Sequence, residues 1–196
     1  MTHMTKQERK ERTWKEIRES MLDAALSIAA REGWKGVTIR KIADDIGYSP
    51  PIVYEHFKNK EALLDTLVDR GFELLNVEFR KVRSLYADPK ELLYNLSLVF
   101  WDFAYGRPEL YQLMFSLERV VMHENAEAHL HMMLDVMTEL NGNEPGEKVE
   151  ALLMNWGCLI HGAIALMMKL PLPPTLQHMQ PKQLFEGFVK RFVMTL

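Results

Sequence analysis

The sequence predicts an all-α chain, with a compact three-helix unit at the N-terminus and a larger helical bundle after it. Three observations carry this reading. Apolar residues recur at three- and four-residue spacings along most of the 196 residues, and no stretch sustains the two-residue alternation of a half-buried strand. Gly, Pro and Asn clusters punctuate the periodic segments. Hydrophobic residues make up 47% of the chain, which supports a real core and argues against disorder.

Trp14, Ile17, Met21, Leu22, Ala25, Ile28 and Ala29 mark one face of a first amphipathic helix, and Gly33 can supply its left-handed stop. Thr38 suits the N-cap of a short second helix with Ile39, Ile42, Ala43 and Ile46 as its apolar positions, ended by Gly47. Ser49 caps a third, running to His56 or Phe57. Pro50 is its first helical residue, where a missing N–H costs nothing and the fixed φ suits the helix. Pro51 is less comfortable, because a proline disfavours the helical conformation of the residue before it. Asn59 caps a long helix with Leu63, Leu64, Leu67, Val68, Phe72, Leu75, Phe79 and Val82 on one face, ending near Leu85 or Tyr86 at "ADP". Further helices are expected near 89–105, 108–118, 123–141, 146–169 and 181–195, separated by "YGRP", a polar kink near Glu118, "NGNEPG" and "PLPPT". A domain boundary is placed after residue 58, giving units 1–58 and 59–196.

Charge and cysteine usage bear on function. The net charge is −3, but the first 60 residues hold 12 Lys and Arg against 9 Asp and Glu, a net of +3, and the remainder carries −6. A basic N-terminal third is the pattern to check for nucleic-acid contact. A single cysteine, Cys158, excludes an internal disulfide and a cysteine-cluster zinc site and suits a reducing compartment. The charged N-terminus lacks the apolar stretch of a signal peptide, so a cytoplasmic location is expected. Residues 151–168 nearly reach the length of a membrane span, but Asn155 and His161 interrupt them. They read instead as a bundle helix that also forms a subunit interface, with no membrane involved. His129 and His131 are two apart on a helix and point to opposing faces. With His123 they read as surface histidines, and no metal site or cofactor is expected. No Walker loop, Gly-x-Ser-x-Gly elbow, His-Glu-x-x-His pair or dinucleotide fingerprint is present, so no catalytic residue is assigned.

The segment "TIRKIADDIGYSPPIVYEHF" has the layout of a helix-turn-helix. Ala43 is small where two helices must approach, Gly47 allows the turn's positive φ, and Ile42, Ile46, Val53 and Phe57 can share a core with the first helix. Thr38, Arg40, Ser49, Tyr54, His56, Lys58 and Lys60 surround the third helix with hydroxyl, imidazole and cationic groups suited to phosphate oxygens.

Residues 13–63 resemble the DNA-binding domain of the TetR family of bacterial transcriptional regulators, in the frame "T-I-R-x-I-A-x-x-I-G-Y-S-x-x-x-V-Y-x-H-F-x-N-K-E-A-L". The resemblance implies a homodimer formed through the last two long helices, a double-stranded DNA operator, and a ligand pocket in the C-terminal bundle. By position it assigns Thr38, Arg40, Tyr54, His56 and Lys60 to phosphate contact and Pro50, Pro51, Ile52 and Glu55 to the groove. The family often has a glycine or another small residue where Pro51 stands. The two prolines remove backbone donors and offer rigid apolar surface able to meet thymine methyl groups.

Of the thirteen methionines, Met114, Met122, Met132, Met133, Met137, Met154, Met167 and Met168 concentrate with many aromatics in the C-terminal bundle, where they could line an adaptable apolar pocket. Phe72, Phe79, Phe100, Trp101, Phe103, Tyr111, Met114, Phe115, Met133, Met137 and Trp156 are the candidates for a small hydrophobic effector. The function expected is a ligand-responsive repressor released from a pseudo-palindromic operator. The alternative is a helical-bundle enzyme or a binding protein that does not bind DNA.

Overall fold

The computed structural model describes residues 5–116 and 123–196. Nine α-helices and two short 3-10 turns stand among these residues, and no strand is found. The helices are α1 Lys6–Glu32, α2 Ile39–Asp45, α3 Pro50–His56, α4 Lys60–Arg83, α5 Pro89–Gly106, α6 Pro108–Met114, α7 Glu124–Leu140, α8 Glu147–Lys169 and α9 Pro181–Met194.

Local chemistry sets most of the boundaries. Gly33, at φ 73°, ends α1 and donates its N–H to Ala29 O at 2.8 Å. Thr38 Oγ1 accepts from Lys41 N at 3.2 Å, Asn59 Oδ1 from Ala62 N at 2.8 Å and Asp88 Oδ2 from Glu91 N at 2.9 Å, so α2, α4 and α5 each start on a side-chain cap. Ser49 holds the N-cap position of α3, but its side chain makes no capping bond. The reason is Pro51, which removes the N2 donor; the N3 donor, Ile52 N, goes to the Ser49 carbonyl at 3.0 Å instead. Both prolines fit because they occupy the first two helical positions, whose N–H groups would be orphans in any case. Helix α6 ends at Met114; residues 117 and 118 of the helix expected there, and the kink near Glu118, lie outside the described residues.

The start of α1 differs from the periodic reading, which begins its apolar face at Trp14. Two further turns precede it, polar all round, so no periodicity announces them. Their signal is the capping box Thr5-x-x-Glu8: Glu8 N donates to Thr5 Oγ1 at 3.2 Å and Thr5 N to Glu8 Oε2 at 2.6 Å.

The chain divides into two compact units. The first comprises the described residues up to Val68 and those from Glu109 to Ser116; the second comprises Asp69–Pro108 and the described residues from His123 onward. This division is discontinuous, whereas the sequence reading draws one boundary after residue 58. In the first unit α1 packs on α2, and α2 on α3, around Met21, Leu22, Ile28, Ile42, Val53, Leu63 and Leu67. Trp34 Nε1 donates to Glu109 O at 3.0 Å, which ties α6 to this unit. In the second unit α5 lies against α7, α8 and α9, with Phe79, Leu92, Leu93, Phe100 and Phe185 fully buried.

Candidate functional site

The N-terminal unit builds a two-helix reading head from four buried side chains. Ile42 and Ala43 of α2 and Val53 and Phe57 at α3 are all at most 3% exposed, which fixes the two short helices on the underside of α1. Gly47 makes the turn at φ 73°, and Tyr48 N donates to Ala43 O at 2.9 Å across it. With those residues inward, the 3.6-residue period turns Pro51, Tyr54, Glu55 and the following Lys58 outward, and all four are exposed. Thr38, Arg40 and Ser49 are exposed as well, while Pro50, Ile52, His56 and Lys60 are half-buried. Arg40 lies 4.0 Å from Asp44 on the solvated face of α2. Lys60 Nζ donates to Trp34 O at 3.2 Å, so part of its donor capacity closes the turn at Trp34–Gly36.

His56, the last residue of α3, has a less open setting than its position in the sequence implies. Its ring stacks on Trp14 of α1 at 3.7 Å between centroids and 22° between planes. Arg18 Nη1 donates to His56 O at 2.8 Å, Arg18 Nη2 to Thr66 Oγ1 at 3.2 Å, and the guanidinium lies 4.0 Å from the Phe57 ring centroid. Burial first and the Arg18 charge second lower the pKa of His56. Its Nδ1 is buried without a hydrogen-bond partner, so the proton of the neutral ring belongs on Nε2.

In the C-terminal unit the aromatic candidates separate by environment. Phe72, Phe79, Phe100, Trp101, Phe103, Met133, Met137 and Trp156 are buried there, whereas Tyr111 and Met114 are buried, and Phe115 half-buried, in the N-terminal unit. Phe79 borders a cavity of about 350 Å³ among α4, α5 and α7, with Leu96, Met132 and Val136 as its other apolar walls. Arg80, Arg83, Asp135, Thr138, Glu139 and Asn143 complete it. Arg83 pairs with Glu139 through both guanidinium nitrogens, Nη1 to Oε2 at 2.9 Å and Nη2 to Oε1, linking α4 to α7.

Beside that cavity lies a buried polar strip that the sequence reading missed. His129, read there as a surface histidine, is 7% exposed. The correction has a physical cause: His129 Nδ1 and Asn76 Oδ1 are 2.9 Å apart, and Asn76 Nδ2 donates to Asn125 O at 2.8 Å. A carbonyl can only accept, so Asn76 is oriented by Asn125 and the proton sits on His129 Nδ1. Phe100 is ringed by Phe79, His129, Trp156 and His161 at 5.3–5.5 Å between centroids. Trp156 Nε1 donates to Ser97 Oγ at 2.9 Å, and Ser97 Oγ in turn donates to Leu93 O at 2.7 Å. Burial pushes His129 and His161 down to about 4, so both imidazoles are neutral at pH 7.

Helix α8 presents Ala151, Met154, Cys158, Ala165 and Leu166 along one exposed face, with Met154 65% and Leu166 58% exposed. Among the described residues it is the helix long and apolar enough, by length and composition, to cross a membrane.

Comparison with known proteins gives these features a context. Residues 21–67 match the family model described as "Bacterial regulatory proteins, tetR family", and residues 93–192, just over half the chain, match "Tetracyclin repressor-like, C-terminal domain". The chain is 50% identical over 50 residues to the tetracycline repressor protein class D of Escherichia coli, covering 26% of this chain and 23% of that protein. It is 27% identical over 97 residues to the transcriptional repressor NicS of Pseudomonas putida, covering 50% and 46%. The matches thus span less than half the length of these curated relatives. A solved protein of unknown function from Rhodococcus sp. RHA1 shares the fold at a TM-score of 0.76 and 21% identity, over 92% of this chain and 95% of that one.

Proposed function

This chain belongs to the tetR family of bacterial regulatory proteins, and on that premise we propose that it is a homodimeric, ligand-responsive repressor of transcription that acts in the cytoplasm. The observation that carries the proposal is the reading head. Buried Ile42, Ala43, Val53 and Phe57 leave the outward face of α3 to Pro51, Tyr54 and Glu55, a width that suits the major groove. Thr38, Arg40, Ser49, Tyr54, Lys58 and the Nε2–H of His56 contact phosphates, with Lys60 beside them. Pro50, Pro51, Ile52 and Glu55 meet base edges, the prolines against thymine methyl groups. The sign of regulation is supported by the relatives, which are named repressors.

The partner subunit covers the exposed apolar face of α8, together with α9. Such a face on a helix of a water-soluble regulator calls for burial against another surface. A two-fold axis there sets two α3 helices on successive major grooves and makes the operator pseudo-palindromic. The effector is small and largely apolar, and it occupies the cavity bordered by Phe79, Leu96, Met132 and Val136. Helix α4 runs from Lys60, directly after the reading head, to Arg83 at that cavity. An effector that binds more tightly when α4 takes its released position weakens operator binding by the same free energy.

Selection of bound duplexes from a random pool by the purified protein tests this reading. The expected result is a pseudo-palindrome with thymine under Pro50 and Pro51, and a Pro51→Gly variant with relaxed preference at that step. Recovery of no enriched motif overturns the operator assignment, and an unchanged preference in Pro51→Gly removes the role of the prolines.

A further inference from the structure

Helices α5 and α9 pack antiparallel, and the two ends of the pair are built differently. Where the start of α9 meets the end of α5, Lys182 Nζ pairs with Asp102 Oδ1 at 2.6 Å, and Trp101 packs on Phe185 with ring centroids 4.8 Å apart. Opposite charges and aromatic packing close that end. Leu92, Leu93 and Val189 continue the buried seam. At the other end the two helices flank a groove of about 480 Å³, which Tyr86 borders from the turn between α4 and α5. All of its lining belongs to the second unit.

Charge distinguishes this open end from the closed one. Lys90 of α5 and Lys190 of α9 both line the groove, and neither forms an ion pair with a described residue. Two ammonium groups on one groove repel each other. The acid in the lining is Glu91, which follows Lys90 on the helix and so points about 100° away from it around the axis. Two lysines against one glutamate leave a net charge of +1. Between the charges the surface is apolar, formed by the half-buried Val193, the exposed Met194 and the half-buried rings of Tyr86 and Tyr94. Burial first and the Glu186 charge second raise the pKa of Tyr94, so its hydroxyl remains a donor at neutral pH. A molecule that fits this lining covers the apolar surface and brings one negative charge to the lysines.

We infer that the groove between α5 and α9 is a binding site for a small amphipathic carboxylate. Its carboxylate pairs with Lys90 and Lys190, and its apolar body lies on Tyr86, Tyr94, Val193 and Met194. The site shares no lining residue with the cavity beside Phe79. It therefore adds a second small-molecule site to the C-terminal unit, and it stands whether or not the chain binds an operator.

Isothermal titration of the full chain with 2-naphthoate, and with 2-naphthamide as its uncharged counterpart, tests the inference. The acid is expected to bind at least about tenfold more tightly than the amide, because only the acid makes charge-assisted bonds to the lysines. Its binding shifts the backbone amide NMR resonances of residues 86–95 and 190–194. Lys90→Gln/Lys190→Gln is expected to weaken binding of the acid at least about tenfold with Tm unchanged, since both side chains are exposed. Val136→Phe, which fills the cavity beside Phe79, leaves the affinity for the acid as it was. Absence of binding, equal affinities for acid and amide, or an unchanged affinity in the lysine variant overturns the inference. So does a loss in Val136→Phe alone, which would put the acid in the other cavity. Operator selection tests the repressor reading separately, and neither result decides the other.

Discussion

Replacing Asn76 by Leu probes the buried polar strip of the C-terminal unit. The two side chains are close in size, so the change acts on hydrogen bonds more than on packing. Asn76 is 1% exposed and serves two partners, accepting from His129 Nδ1 at 2.9 Å and donating to Asn125 O at 2.8 Å. Leucine leaves the His129 N–H without an acceptor in a site that is 7% exposed, at about 1–3 kcal/mol. The Asn125 carbonyl is half-buried and loses about 1 kcal/mol, since water can reach it in part. The sum is about 2–4 kcal/mol, which for a chain of this size lowers Tm by about 4–16 °C. Urea unfolding followed by circular dichroism at pH 7.5 measures it, with an unchanged m-value. Adding His129→Leu removes the second partner and is expected to restore part of the loss, because two apolar groups orphan no donor. A cost for Asn76→Leu below about 0.5 kcal/mol, or a double variant no more stable than the sum of the singles, refutes the reasoning.

Other expectations follow from the same geometry. His129 and His161 have pKa values held down to about 4 in the fold, against about 6.5 unfolded, so the unfolded chain takes up protons first. Stability is therefore full above about pH 6.5 and falls as pH drops towards 4, by on the order of 1 kcal/mol per pH unit for each histidine; equal urea midpoints at pH 7.5 and pH 5 would contradict this. Ser97→Ala strands the indole N–H of Trp156 and costs about 1–3 kcal/mol, read from unfolding and from a shifted Trp emission. Tyr54→Phe and Lys58→Ala leave stability within about 0.5 kcal/mol, since both residues are exposed, yet weaken operator binding in a gel-shift titration. Val136→Phe fills the cavity beside Phe79 and is expected to abolish release of the operator by an effector while leaving operator affinity unchanged.

The helices were legible because local rules write them. Thr38, Asn59 and Gly33 act within four residues of themselves, and the structure uses each as the pattern implies. The reading head was legible for the same reason: Ile42, Ala43, Val53 and Phe57 lie within 16 positions of one another. What the sequence hid depends on partners far along the chain. His129 stands on a helix of mixed polarity, and the acceptor that lets it be buried is Asn76, 53 residues earlier. Ser97 and Trp156 are separated by 59 residues, so neither reveals the other. Aromatic content located the bundle but not its cavity, since core packing and pocket lining draw on the same side chains, and of the candidates only Phe79 borders the space among α4, α5 and α7. His56 was read as an open phosphate ligand, and the Trp14 ring that half-covers it comes from another helix.

The central claim is sequence-specific operator binding by the outward face of α3. Fluorescence anisotropy of the selected duplex against a scrambled duplex of equal length and composition, at one fixed salt concentration, tests it most directly. The account predicts at least about a thousandfold tighter binding of the selected duplex, with two chains bound per operator. Equal affinities for the two duplexes would contradict it.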